Sequence, residues 1–484
     1  MSPRLLLKVA LMSMRCGRQS PAQWAKDVRE NDPLKWLGQG IIPSRAACYR
    51  FRDRLKNEWL QNWNAQLVQQ AIVEKHTSAE HGSQDGTTLA ACASRHHLVR
   101  SEKLNARYEQ LTAAVANDLA QAVVPIALPS SPHEPEDVLN DGQVEAAVGS
   151  DLPLNAVTAT AMAYPAPFPI PVWMAKTPSG RKTQQNRCEY AKQAMQRRQE
   201  ENAQRRKDRR QAPEKIVINV SDPDAALGLD KYKVFRPLYN IQAIRDRETD
   251  LSLAYDTFAQ STDAGMLPVL QKRVHDVLGR YLNTLAVDAG YVTLNDLLFC
   301  ENAGTALYGP YQSNSFTETK RAGKTRLFPK ETFAWSPLEQ TFTCPQGHRL
   351  KRYSQYTQQR SGGPDVTVVQ YRCPPRHCQA CPVRDKCTRR PEKGRTVKRL
   401  QGQEILDRHQ VLMQTPEAKA IRKQRPCTIE RHFADTKCHR SWNRLHGRGL
   451  ARARTEVGLM HLGHNIVVLD KLRERRRSAL QNTS

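Results

Sequence analysis

The chain has 484 residues, more than one average domain, so two or three structural units with room for real cores are expected. Its 74 lysines and arginines against 48 acidic residues give a formal charge of +26, which argues against an enzyme of small neutral metabolites and for a polyanionic partner. No run approaches the roughly eighteen apolar residues of a membrane span, so no membrane role is expected.

The run Leu5 to Met14 is apolar, but Lys8 interrupts it and no small-residue cleavage site follows, so it reads as a buried helix and not as a leader. Residues 1–78 read as a helical module, with Leu55, Trp59, Leu60, Trp63, Leu67 and Ile72 recurring at helical intervals. Residues 79–104 contain Asp85, in SQDGTTLAACAS, beside a β-compatible stretch from Thr87 to Ala93. Residues 105–215 read as an insertion. Its part from about 125 to 178 is rich in Pro, Ala and Ser, with PAPFPIP at 165–171, and is expected to be a linker. Its part from Arg181 to Arg210 is strongly basic and fits an exposed helix or a partly disordered arm, either contacting DNA or simply solvated.

Residues 216–312 alternate more regularly. The β-prone IVINV precedes two segments, Leu238 to Arg245 and Leu251 to Phe258, with the length and composition of paired strands. A helix follows with Asp263 placed as its N-cap, Pro268 in its first turns, and Leu267, Leu270, Val274, Val277, Leu278 and Tyr281 on one face. Thr284 to Val287 is a short buried strand that runs into Asp288 and a glycine turn. Strand, strand, helix, strand is a mixed α/β order. Residues 313–410 hold five of the chain's twelve cysteines, and residues 411–484 carry a helix after Pro426 and further basic helices. In an α-helix Lys437 shares a face with Glu430, seven residues earlier.

Three carboxylates stand out in this basic chain. Asp85 precedes a glycine beside the start of a β-compatible stretch, Asp288 ends an apolar strand before a glycine turn, at a carboxyl end where open α/β sheets form their sites, and Glu430 lies in a basic segment of expected helix. Taken singly, an Asp before Gly is ordinarily a turn and a Glu beside Arg a surface ion pair. Taken together, the three acids could hold two Mg²⁺ or Mn²⁺ ions about 4 Å apart that also bind DNA phosphate oxygens, with Lys437 seating the neighbouring phosphate.

Segments spread along the chain resemble the DDE transposases of bacterial insertion sequences, in the subgroup with a cysteine-rich insertion between the second Asp and the Glu. They are FRDRL at 51–55, DGTTLAACAS at 85–94, SDPDA at 221–225, YNIQ at 239–242, VDAGY at 287–291, IERHFADTK at 429–437 and RLHGRGL at 444–450. The resemblance implies a ribonuclease-H-like core interrupted by insertions, with Asp85 on its first strand, Asp288 after its fourth, and Glu430 on a later helix. It also implies binding of double-stranded DNA, first at the terminal inverted repeats of an element and then at a target. Cleavage and strand transfer would occur at one metal site, by a homodimer or larger assembly on DNA in the bacterial cytoplasm at the nucleoid. Arg425, Arg431 and Arg448 would join Lys437 in contacting DNA. The binding-only alternative is a catalytically inactive or domesticated relative. Two departures are visible. Relatives carry Tyr, Arg, Glu and Lys at positions that fall here on Lys423, Pro426, Glu430 and Lys437, leaving Arg425 one residue out of place. The helical region also begins almost at once, as in a shortened copy.

Cys344 opens CPQGH, and Cys373, Cys378, Cys381 and Cys387 follow. The Cys378-x-x-Cys381 pair can present two thiolates to one tetrahedral zinc, with Cys344 and Cys387 completing a structural site and Cys373, His348 and His377 as alternative ligands. Arg349, Lys351, Arg352, Arg389 and Arg390 could add DNA contacts from this lobe.

Overall fold

The computed structural model describes residues 1–122, 170–205, 207–230, 232–311, 327–360 and 363–482. They divide into two units, one of Met1–Leu98, Gln204–Arg210 and Ser221–Ser484, the other of Val99–Ala203 and Gln211–Val220.

Five helices open the larger unit: α1 (Pro3–Arg15), α2 (Pro21–Glu30), α3 (Asp32–Leu37), α4 (Arg45–Arg54) and α5 (Asn57–Val73). Their starts follow from local chemistry. The hydroxyl of Ser2 accepts from Leu5 N, Asn31 caps Leu34 N and Ser44 caps Ala47 N, satisfying amides that the first helical turn leaves unpaired. The Leu5-to-Met14 run is α1, with Leu5, Leu6, Val9, Ala10 and Met14 buried. In α5 the burial falls on Leu60, Asn64, Val68 and Ala71, whereas Trp59, expected on the apolar face, is 47% exposed.

β1 (His81–Ala90) begins the central sheet. The chain then enters the smaller unit, which holds β2 (Leu98–Arg100), α6 (Ser101–Ala122), α7 (Pro178–Gln204) and β3 (Val217–Asn219), with β2 paired to β3. The basic segment is therefore an ordered helix. One face of α7 is buried through Cys188, Ala191, Ala194 and Met195 against Leu104, Leu111 and Ala114 of α6, and Arg181 pairs with Asp118 at 2.5 Å. IVINV belongs to this unit and not to the central sheet, and the unit starts at 99, not 105. Most of the expected Pro/Ala-rich linker lies outside the described residues.

The larger unit resumes with β4 (Ala226–Leu229), β5 (Phe235–Asp246), β6 (Ser252–Phe258), α8 (Met266–Leu278), β7 (Thr284–Ala286), α9 (Leu294–Asn302) and β8 (Ala306–Tyr308). The sheet runs β4-β5-β1-β7-β8, with β6 on β5 as well. β1 is antiparallel to β5 and parallel to β7, and β7 is parallel to β8. Strand periodicity sends alternate residues of β5 into two cores. Tyr239, Ile241 and Ala243 pack with Leu60, Ile429, Phe433 and Val457, while Ile244 packs with Leu267, Leu270, Leu285 and Val287. Helix α8 is capped by Gly265, not by Asp263, because the chain turns in a left-handed residue (φ 77°) just before Met266. The Asp263 side chain is committed elsewhere, as described below.

Residues 327–400 form a second, five-stranded sheet of β9 (Ala334–Ser336), β10 (Thr341–Thr343), β11 (Arg349–Arg360), β12 (Gly363–Arg372) and β13 (Thr396–Leu400), in the order β13-β12-β11-β10-β9. Two short helices, α10 (Pro375–Gln379) and α11 (Arg384–Cys387), carry cysteines between β12 and β13. Then come α12 (Gln403–Leu412) and α13 (Pro416–Arg425). The segment expected as one α-helix from Pro426 is a π-turn at Pro426–Glu430, a short α14 (Arg431–Ala434) and a second π-turn at Asp435–His439. The long α15 (Leu450–Gln481) closes the chain, buried from Ala453 to Asn465. No helix among the described residues is long and apolar enough to cross a membrane.

Candidate active site

β1 supplies the site's floor, and its alternation decides what faces it. Ser83, Asp85 and Thr87 point to one side, and the segment after α13 lies across all three. Thr428 Oγ1 donates to Ser83 Oγ at 3.3 Å, Arg425 Nη2 lies 3.1 Å from Asp85 Oδ2, and Lys437 Nζ donates to Thr87 Oγ1. Buried Ile429 fixes this segment against the sheet.

Asp288 reaches the same edge from the neighbouring strand. β1 and β7 are in parallel register at His81 with Thr284, Gly82 with Leu285 and Ser83 with Ala286. Carried two residues on, this register sets Asp85 level with Asp288, at roughly one strand spacing of ~5 Å. Asp288 leaves the strand in an extended conformation and caps the following turn, accepting from Ala289 N at 2.7 Å. Glu430 is joined to Asp85 through a cation, since Arg425 Nη1 donates to Glu430 Oε1 at 2.7 Å while Nη2 faces Asp85. Asp85 is 20% exposed and Glu430 48%. Burial pushes the Asp85 carboxyl up to about 6; Arg425 and the Gly86 amide oppose this, and the charges of Asp288 and Asp263 add to it.

Behind Asp85 the sheet carries a buried amide network that composition did not reveal. Gln242 Nε2 donates to Asp263 Oδ1 at 2.6 Å and to Asn240 Oδ1 at 2.9 Å, and Asn240 Nδ2 donates to Asp263 Oδ1 at 2.9 Å. Tyr291 Oη donates to Gln242 Oε1 at 2.6 Å. Gly86 makes this possible, because a Cβ there would lie 1.9 Å from Gln242 Nε2 and 2.7 Å from Asp263 Oδ1. YNIQ and VDAGY are therefore two halves of one hydrogen-bonded support. The signal available in the sequence was the pair of amides two residues apart on one strand face, Asn240 and Gln242.

The remaining predicted cations lie differently. Arg448 donates to Cys92 O at 3.3 Å, helping to hold the RLHGRGL loop, whose Leu445 N bonds Ala90 O at 2.9 Å at the end of β1. Arg431 is exposed and its charge acts on Asp250, not on Asp85. SDPDA anchors the same loop. Asp222 Oδ1 accepts from Tyr239 Oη at 2.7 Å and from Gly449 N at 3.1 Å, and Asp224 Oδ2 accepts from Leu450 N at 3.0 Å, so two carboxylates meet the positive start of α15.

The cysteines gather. Cys344, Cys373, Cys378, Cys381 and Cys387 line one cavity of about 20 Å³ together with His348 and His377, whose rings stack at 4.2 Å. Backbone amides point at the sulfurs, His348 N at 3.4 Å from Cys344 Sγ and Arg395 N at 3.3 Å from Cys378 Sγ. Gly394 permits the second approach, since a Cβ there would lie 2.1 Å from Cys373 O. Cys373, held as an alternative ligand in the sequence reading, is the thiol most affected by the others. Burial, then Cys378, Cys344 and Cys387, push it up to about 12.

Residues 343–470 match the family model of a transposase DDE domain. The match supports a DDE transposase, and such a domain implies DNA as the substrate. It covers the cysteine cavity, Glu430, Lys437 and the start of α15, and stops short of Asp85 and Asp288. Comparisons with curated proteins and with solved structures gave no match.

Whether these donors suit metal ions can be judged from the arrangement. Among the described residues no three His, Cys, Asp or Glu side chains stand together in ready metal-binding geometry. At the cysteines the donor chemistry nevertheless fits zinc, because several thiols and two imidazoles surround an ion-sized space and amides are aimed at two of the sulfurs. At the acids the donors are hard oxygens, as Mg²⁺ requires, and the Arg425 guanidinium already bridges two of them.

Proposed function

We propose that the protein is a DNA transposase of an insertion sequence, with Asp85, Asp288 and Glu430 as its metal-holding acids on a ribonuclease-H-like core. The observation that carries this reading is the β1–β7 register, which carried two residues past its last pair sets Asp85 level with Asp288, with Glu430 tied to Asp85 through Arg425 in the segment whose family match is to a DDE domain. The strand order supports the core assignment, since Asp85 lies on the first strand, β5 and β6 follow antiparallel on one side, and Asp288 follows β7 on the other.

Two Mg²⁺ or Mn²⁺ ions, when bound, would activate the attacking oxygen and stabilise the leaving one in both hydrolysis and strand transfer. The chain's own residues do the positioning. Gln242, Asn240, Asp263 and Tyr291 hold the β1 strand from behind, and Thr428 and Lys437 dock the Glu430 segment on its front. Arg425 neutralises Asp85 and Glu430 between turnovers and is free to turn to a DNA phosphate when cations replace it. Cys344, Cys378, Cys381 and Cys387, with Cys373, His348 and His377 as alternative ligands, would hold a structural zinc that closes the second sheet. DNA ends must be paired for joining, so a dimer or larger assembly forms on DNA.

Asp85→Ala, Asp288→Ala and Glu430→Ala test this, with a duplex carrying the element's terminal repeats and Mg²⁺ or Mn²⁺. Each variant is expected to lose strand cleavage and joining while keeping DNA binding. A wild-type protein that binds the repeats but never cuts them would establish the binding-only reading.

A further inference from the structure

The second sheet has two unlike faces. Its inner face buries Tyr371 and Val397 with Trp335 and Phe342, and there Arg399 is neutralised and covered while Arg352, opposite Tyr371, stays exposed. Arg399 pairs with Glu404 at 3.2 Å and Asp407 at 2.8 Å and lies 4.1 Å from the Trp335 ring. On the opposite face Arg349, two residues before Lys351 on β11, is neutralised by Glu339 at 2.8 Å.

The outer face is buried toward one end, at Val366 and Val368, and cationic toward the other. Lys351 of β11 stands opposite Arg372 of β12, and Lys398 of β13 stands opposite Gln370, two residues from Arg372 on the same face. Among the described residues no carboxylate pairs with Lys351, Arg372 or Lys398. Two tyrosines orient the row. The Arg372 guanidinium lies 3.3 Å from the ring centroid of Tyr353, which is 56% exposed, and Lys398 Nζ lies 5.8 Å from that of Tyr356, 38% exposed. A cation over each ring limits base stacking there and presents the charges themselves outward. Three neighbouring strands span about 10 Å, so the row can face a short run of backbone phosphates with at most one per cation.

We propose that this face, through Lys351, Arg372 and Lys398 with Tyr353 and Tyr356 as their supports, is a second docking surface for duplex DNA, binding backbone phosphates without reading sequence. It rests on the reading of the protein as a DNA enzyme, yet it is separate from the acids. Of the lobe residues named from sequence as DNA contacts, only Lys351 lies in this row.

The test uses the full-length protein, zinc-loaded, with a fluorescent duplex of arbitrary sequence titrated by anisotropy between 50 and 200 mM KCl. Lys351→Ala, Arg372→Ala and Lys398→Ala combined should lower the slope of log K against log salt by about 2.7, three phosphates at ~0.9 each, and weaken binding at least about tenfold at low salt. Lys351→Arg with Lys398→Arg should restore near-wild-type values. Unchanged slope and affinity in the triple variant, with zinc content and circular dichroism kept, would overturn the proposal, as would a loss confined to single-stranded DNA. If the triple variant loses duplex binding while the wild type never cleaves, this surface stands and the catalytic reading falls. The reverse pattern leaves the transposase reading intact and removes the surface.

Discussion

Gly86→Ala is the most discriminating small change at the site, because it adds one methyl group to a place already filled. The new Cβ would stand 1.9 Å from Gln242 Nε2 and 2.7 Å from Asp263 Oδ1, and the strand is held in place there by its pairing with β5, Gly86 opposite Gln242 itself. The Gln242 amide must move instead, and it is fully buried with its two bonds to Asp263 and Asn240 and the bond it accepts from Tyr291. Overpacking costs about 1–3 kcal/mol and each buried polar group left unsatisfied about 1–3 kcal/mol, so a net loss of about 2–4 kcal/mol is expected after partial relaxation. Urea unfolding of wild type, Gly86→Ala, Gln242→Ala and the double variant measures it. If the clash is the cause, Gly86→Ala should cost at least ~1 kcal/mol less in the Gln242→Ala background. Additivity within ~0.5 kcal/mol, or a Gly86→Ala protein as stable as wild type, would refute the account of why this glycine follows Asp85.

Other outcomes follow from the same geometry. Burial pushes Glu456 up to about 7 from 4.5, against the His446 amide, Arg52 and Gly447, so the folded state binds a proton that the unfolded chain has released, and this contribution is lost as pH rises through about 7. Glu456→Gln should therefore gain on wild type in unfolding free energy by up to about 3 kcal/mol on going from pH 4 to pH 8; a constant difference across that range would show that Glu456 does not titrate there. Asp222→Ala removes the carboxylate that accepts from Tyr239 Oη and Gly449 N and should cost about 2–3 kcal/mol, with Asp222→Asn costing less, as read by thermal or chemical unfolding. Chelation of zinc should melt the second sheet, seen as lost hydrogen-exchange protection in β10 to β13, while β1, β5 and β7 stay protected; elemental analysis finding no zinc in the purified protein would remove the premise.

Much of the central sheet was legible because its signals are local. The β5 and β6 hairpin, the short strand into Asp288 and the strand around Asp85 each show period-two patterning or a glycine turn within a dozen residues, and the cysteine spacing showed that thiols would meet. What stayed hidden depends on partners far apart in sequence. Asp263 looks like an N-cap because an acid just before a helix has that chemistry, and only the fold reveals Asn240 and Gln242 competing for it. SDPDA shows no partner of its own in the sequence, and only α15, more than two hundred residues later, places Gly449 and Leu450 on its carboxylates. The basic α7 reads as a solvated arm because its buried stripe is made of Ala, Cys and Met, too small and mixed to stand out among so many charges.

The π-turn resolves the apparent misplacement of Arg425. Residues four apart share a face in an α-helix, so a guanidinium five residues before Glu430 would point away from it. A π-turn closes i to i+5, so residues five apart come together instead. With the turn at Pro426–Glu430, Arg425 reaches Glu430 at 2.7 Å and Asp85 at 3.1 Å. Pro426 contributes directly, since it lacks the amide that an α-helical ladder would need at that position. The one-residue shift in sequence and the one-residue widening of the helix thus cancel, and an arginine stands between Asp85 and Glu430 despite the altered motif.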